Sequence, residues 1–211
     1  MTFGGAAGIP LPPPQHTALE VGFAALRARM FSAETLVALG VDEVDDGYRL
    51  PVLGRPVIID LERAEVRTDA GSQLASFWAI LTVHYLCAEN LTPDDRWVSL
   101  GHFPDCRTYL LAFNNHVLRE MLETVGRTRD GFIAAAESLP HTRWDGPGDG
   151  FTFPVFPRVP LTFVRHDGDE ELEPGANVLY RADAARQLPA EDRIAMAELM
   201  LDVLKGHGMT E

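Results

Sequence analysis

His84 and Cys87 stand three residues apart, and His102 and Cys106 follow soon after, so each of the chain's two cysteines has a histidine close by. On one helix the first pair would share a face. Two imidazoles and two thiolates make a complete tetrahedral ligand set for zinc. The spacing matches no known zinc module, and Pro104 interrupts the second pair. The competing expectation is therefore that all four are core or near-core groups that pack and hydrogen-bond locally. A nucleophile-and-base pairing is a third option, with Cys106 near the start of a helix whose positive end favours a thiolate. Asp105, its neighbour, works against that charge.

A second set is aromatic and basic. Trp97, Trp144, Tyr85, Arg158 and His166 would line a pocket between a central helix and a proline-rich strand, suited to a planar or anionic small molecule. They would suit an ordinary core equally well. Arg158 is the sharpest of them, because the prolines of Pro-Arg-Val-Pro hold its backbone and reduce the entropy of placing its guanidinium fork. The acid block of Asp167, Asp169, Glu170, Glu171 and Glu173 reads as a solvated hairpin tip guarding a sheet edge. A hard-cation site would need oxygens converging from further segments.

Several chemistries have no footprint. The sequence holds no G-x-S-x-G, H-E-x-x-H, G-x-G-x-x-G or Walker-type loop, and no D-x-H-x-x-G. Lys205 is the only lysine among 18 basic residues, which excludes a P-loop or Schiff-base lysine inside the fold. A net charge of −13 without a basic run argues against nucleic acid or an anionic membrane surface as partner. The longest apolar stretch, Leu74 to Ala88, is about 15 residues, short of the roughly 20 that a spanning helix needs. Two cysteines make no disulfide framework, and MTFGGAAGIPLPPPQ does not read as a signal peptide, so the expected location is cytoplasmic.

These groups need elements to hold them. Residues 1–15 are too rich in proline and glycine for regular structure and are expected to form a flexible arm, with a single domain over 16–206 and a tail over 207–211. Thr17-x-x-Glu20 opens a first helix to about Met30, and Ser32 caps a second that Gly40 stops after Leu39. The acidic stretch Val41 to Gly47 reads as a turn, and Tyr48 to Arg67 as two or three short strands turning at Gly54-Arg55 and Glu62-Arg63, with Pro51 and Pro56 marking an edge. Ser72 to Asn90 is apolar all round, so it must be covered all round, at the centre of the core. Trp97 to Leu100 is a short strand, Pro104 to about Val125 a long helix with Leu110, Phe113, Val117 and Met121 as its stripe, and Arg129 to Leu139 a shorter one. Phe151 onward is an extended, proline-interrupted strand leading to an Asp167-Gly168 hairpin, and Ala190 to Lys205 is the last helix.

The stretch FPVFPRVPLTFVRHDGDEELEPGANVLYRADAARQLPAEDRIAMAELMLDVL resembles the C-terminal half of an uncharacterised family, the domain-of-unknown-function family three-seven-eight-six. FWAILTVHYLCAEN followed by WVSLGHFP is similar to its middle, and the likeness spans about residues 45–205. The resemblance implies one fold and no catalytic residue set. It also implies company: such proteins are frequent in anaerobes, and some carry an iron-sulfur module like that of the corrinoid iron-sulfur protein. This chain lacks the clustered cysteines of that module, so a cluster would belong to a partner.

The expectation is thus an α+β single domain, a small mixed or antiparallel sheet packed around a buried central helix. The expected role is a non-catalytic accessory or ligand-binding domain with a corrinoid or iron-sulfur protein as partner, and with Arg158, His166, Trp97 and Tyr85 as ligand-binding residues. The alternative is a metal-dependent enzyme built on His84, Cys87, His102 and Cys106.

Overall fold

The computed structural model describes the backbone of residues 15–88 and 92–210, and the side chains from residue 18 onward within those ranges. The expected arm over residues 1–15 therefore lies outside the described residues, except for Gln15, which is already helical. Helix α1 (Gln15–Arg27) includes Thr17, so Thr17 is not its cap. Helix α2 (Ala33–Leu39) starts and stops as its sequence dictates. Ser32 Oγ accepts the Thr35 N–H at 3.1 Å, and Gly40 closes the helix in the left-handed region at φ 67°.

Strands β1 (Asp42–Val44), β2 (Gly47–Val52), β3 (Arg55–Asp60) and β4 (Glu65–Thr68) form an antiparallel meander in chain order. The β2–β3 turn falls one residue before the expected place, at Leu53-Gly54, both with positive φ (48° and 71°) as a two-residue hairpin turn requires. Leucine tolerates this conformation because its buried side chain and its N–H, donated to Val155 O at 3.0 Å, anchor the turn to the second sheet. Pro51 and Pro56 lie on the two inner strands, opposite each other, where the outer strands β1 and β4 have already ended. Neither proline removes a bond to an outer strand.

The second sheet is antiparallel throughout, in the order β5 (Trp97–Ser99), β9 (Gly175–Arg181), β8 (Val159–His166), β7 (Asp149–Phe156), β6 (Thr142–Arg143). The proline-rich entry is not an edge: β7 and β8 are inner strands. Pro154 sits in the register irregularity between Phe153 and Phe156, and Pro157-Arg158 forms the tight turn from β7 to β8. The Asp167 segment is not a two-residue turn either. Asp169 Oδ1 accepts the N–H groups of Glu171 and Leu172, each at 2.8 Å, and organises a longer loop before β9 begins at Gly175.

Helix α3 (Ser76–Leu86) packs against α1, β4 and the last helix and stacks Tyr85 on Phe156 of the second sheet, with Trp78 through Val83, Tyr85 and Leu86 all buried. It starts later than Ser72 because Gln73 and Leu74 form bridges to Arg67 and Thr210. Thr82 satisfies its hydroxyl on Trp78 O at 2.7 Å, so no polar atom of that residue is stranded in the core. One face of β7, β8 and β9, carrying Phe151, Phe153, Leu161, Phe163, Val178 and Tyr180, is fully buried. The expected long helix after Pro104 is continuous but irregular: a 3-10 segment (Pro104–Tyr109), α4 (Leu110–Phe113), a wider π turn (Asn114–Arg119) and α5 (Glu120–Glu123). Phe113, Val117 and Met121 are four apart, a spacing that drifts round a straight α-helix, and the π turn keeps all three buried. Helix α6 (Arg129–Glu137) is capped by Thr128, whose Oγ1 accepts Gly131 N–H at 3.0 Å. Helices α7 (Ala184–Gln187) and α8 (Ala190–Leu204) follow β9, and the end of the chain returns to the core, where Met209 is buried and its carbonyl accepts Ala75 N–H at 2.9 Å. The fold is the expected single α+β domain, with two antiparallel sheets rather than one. No helix among the described residues is long and apolar enough to cross a membrane.

Tyr85 ties α3 to both neighbours: its ring stacks on Phe156 at 4.8 Å and its hydroxyl donates to Leu39 O at 2.5 Å. Tyr85→Phe keeps the stack and strands that carbonyl, so urea unfolding should show a loss of about 1–3 kcal/mol. An unchanged midpoint would mean that the carbonyl is satisfied by another group.

Candidate functional site

At the C-terminal end of α3 the structure gathers groups from four segments. His84 is half-buried, and its Nδ1 lies 2.6 Å from Asp192 Oδ2. Asp192 occupies the first turn of α8, where the helix dipole favours its negative charge. The carboxylate accepts the Nδ1 proton, which leaves Nε2 as the ring nitrogen open to another molecule. Cys87 caps the end of α3, and Arg29, just after α1, donates to the carbonyls that follow the helix, those of Cys87 and Ala88, the latter at 3.0 Å. Basic side chains at such an end complement the helix dipole.

Helix α7 forms the opposite wall. Asp183, 1% exposed, precedes it between two guanidinium groups, Arg158 at 4.0 Å and Arg181 at 3.9 Å, and this pins the start of α7. Three residues further along the helix come Arg186, which donates to Thr92 O at 3.1 Å, and Gln187. His84, Cys87, Arg186 and Gln187 line an open depression of about 350 Å³ whose remaining wall is apolar, including Ala88 and Leu188. Gln187 is 3% exposed, and among the described residues neither its Oε1 nor its Nε2 has a hydrogen-bond partner.

The expected ligand residues fall into separate places. Of the proposed zinc set, only His84 and Cys87 share a cavity. His102 is exposed, its ring edge-on to Phe103 at 6.1 Å, and Cys106 is fully buried. Among the described residues no three His, Cys, Asp or Glu side chains gather into a group able to hold a metal ion. Both thiols are free. Burial pushes the Cys87 thiol up, more than Arg29 pulls it down, and burial does the same at Cys106, where Arg193 opposes the rise and Asp105 adds to it.

The aromatic set is likewise divided. Tyr85 and Arg158 are neighbours: burial raises the Tyr85 phenol far above its usual value while Arg158 counteracts it. Arg158 also reaches Ala38 O at 3.4 Å. Trp97 and Trp144 meet edge to face at 5.8 Å, Tyr85 stacks instead on Phe156, and His166 is exposed at the end of β8. Gln187 in the lining and Asp192 behind His84 had no signal in the sequence. Asp192 lies 108 residues from His84, and neither residue belongs to a motif.

The family model described as a domain of unknown function (DUF3786) matches residues 33–202. No curated protein and no solved structure matches the chain.

The thiol environment predicts slow chemistry. Raised thiol pKa values keep both cysteines protonated at neutral pH, so iodoacetamide should label native protein slowly, Cys87 before Cys106, and faster as the pH passes the ordinary thiol range. Rapid labelling of Cys106 at neutral pH, read by peptide mass spectrometry, would contradict its burial.

Proposed function

The chain belongs to the DUF3786 family, and on that premise we propose that it is a ligand-binding accessory domain whose site is the depression where α3 ends against α7 and α8. The observation that carries this reading is the 2.6 Å contact with Asp192 of His84 Nδ1, the imidazole that lines that depression. A histidine with a carboxylate behind one nitrogen is fixed in tautomer and orientation. Such a side chain is prepared to meet something. The volume of about 350 Å³ is at the small end of ligand sites, which suits a small molecule or one projecting group of a larger one.

A corrinoid or iron-sulfur protein as the partner is part of this proposal and rests on the company implied by the resemblance, not on a residue of the chain. An iron-sulfur cluster takes several cysteine thiolates. This chain offers one half-buried thiol and one buried thiol in separate places, so the cluster would be held by the partner. Arg158 contributes by holding Asp183, and with it α7, in place.

A thermal-shift panel of corrinoids, tetrapyrroles and organic anions tests the reading. A ligand at about 100 times its Kd stabilises by about 2.7 kcal/mol, which for a chain of this size is a rise of about 5–10 °C. The rise should vanish in His84→Gln and shrink in Arg158→Ala. No shift with any compound in the wild type would remove the small-molecule form of the proposal.

A further inference from the structure

A second cleft, which shares no residue with the depression at the end of α3, carries an inference of its own. It has a volume of about 320 Å³ and lies where the β2–β3 turn meets the ends of α6 and α8 and the return of the chain toward Met209. Leu53, Leu139, Pro140, Val203 and Met209 make its wall largely apolar. Arg55 breaks that pattern. Alternation along β3 puts Arg55 on the same side as Val57 and Ile59, and both of these are fully buried, as is Val52, which pairs directly with Arg55. The arginine therefore stands on the core side of the first sheet, yet it is exposed, and it lines this cleft. Among the described residues its guanidinium has no hydrogen bond, ion pair or ring contact.

The backbone holds Arg55 in advance. The turn before it is anchored by the Leu53 N–H on Val155 O at 3.0 Å, and Gly54 abuts the end of α6, where a Cβ would lie 3.1 Å from Pro140 Cγ. Pro56 confines Arg55 to extended backbone. A guanidinium so placed presents a planar fork of donors that fits two oxygens of an anion. His207, the other basic residue of the lining, already faces Asp202 at 3.6 Å, and among the described residues no Asp or Glu of the lining is there to pair with Arg55. The apolar wall then decides between anions. Inorganic phosphate would turn its remaining oxygens toward side chains that cannot hydrogen-bond them. A carboxylate puts both oxygens on the fork and leaves its body for the wall. We propose that this cleft binds a small carboxylate with an apolar body, Arg55 pairing with the carboxylate and Leu53, Val203 and Met209 packing against the rest. The competing use of Arg55 is structural: α6 and α8 both end here, and a cation beside their C-termini offsets their dipoles.

The test is a titration of the full chain, labelled at its methionine methyls and arginine side chains, followed by NMR at Met209 and Arg55. Benzoate and hexanoate are the probes. Acetate, inorganic phosphate and benzamide are the controls, lacking in turn the apolar body, the carboxylate geometry and the charge. Either probe should move both signals saturably, with each control at least about tenfold weaker. The shifts should survive His84→Gln, which separates this cleft from the depression at α3, and vanish in Arg55→Met at an unchanged thermal midpoint of the unliganded protein. A lower midpoint in that variant would make Arg55 a partner of the helix ends and overturn the proposal. Benzamide or phosphate binding as tightly as benzoate would overturn it too, as would a Met209 signal that neither probe moves. The ligand-binding reading of the α3 depression stands or falls separately, on the His84→Gln variant.

Discussion

An α-helix without a polar face can exist in water only if neighbours cover it on every side, and α3 imposes that demand on the whole molecule. From Trp78 to Val83 it offers solvent nothing, so α1, β4 and α8 pack around it and Tyr85 stacks on Phe156 of the second sheet. The covering elements come from regions of the chain far apart in sequence, and the helix is what brings them together. Apart from Thr82, which is satisfied on Trp78 O, its polar residues Ser76 and His84 stand at the two ends, and Cys87 follows the second of them. A surface depression at that end follows from the packing: three segments converge there, after α1, along α7 and at the start of α8, and each ends or begins a helix.

Such a core is apolar enough to permit several registers, and buried polar contacts select one. Tyr85 binds the Leu39 carbonyl, Tyr180 donates to Arg193 O at 3.0 Å, and buried Arg193 reaches Asp105 while its guanidinium lies 4.4 Å from the Phe103 ring centre. Each of these bonds joins elements that the sheets alone would not orient. The His84–Asp192 contact belongs to the same set in geometry but differs in position, because it lies at the rim where a ligand can reach it. The same clamp that sets α8 against α3 therefore also fixes the ring of a residue that lines the depression.

Local chemistry made part of this legible in the sequence. Ser32 and Gly40 bracket α2 because side-chain capping and a left-handed stop act within one turn. The all-round apolarity of α3 is a property of consecutive residues and needs no tertiary knowledge. The prolines misled for a physical reason: a missing N–H matters only where a neighbouring strand would accept from it. Pro51, Pro56 and Pro154 sit where that neighbour has ended or the register slips. Leu53 takes a turn conformation that its residue type disfavours, because Val155 of the other sheet holds it there. Of the site, His84 and Cys87 could be named from spacing. Asp192 and Gln187 could not, because what places them is the docking of α7 and α8, and no pattern within either helix encodes a partner so distant in the chain.

The account depends on His84 being held by Asp192 with its other nitrogen bare, and ¹⁵N chemical shifts of the imidazole measure this directly. With the ring neutral, the wild type should show a proton fixed on Nδ1 and an unprotonated Nε2, and Asp192→Ala should lose that preference. A wild-type ring protonated mainly on Nε2, or one exchanging freely between the two tautomers, would contradict the account.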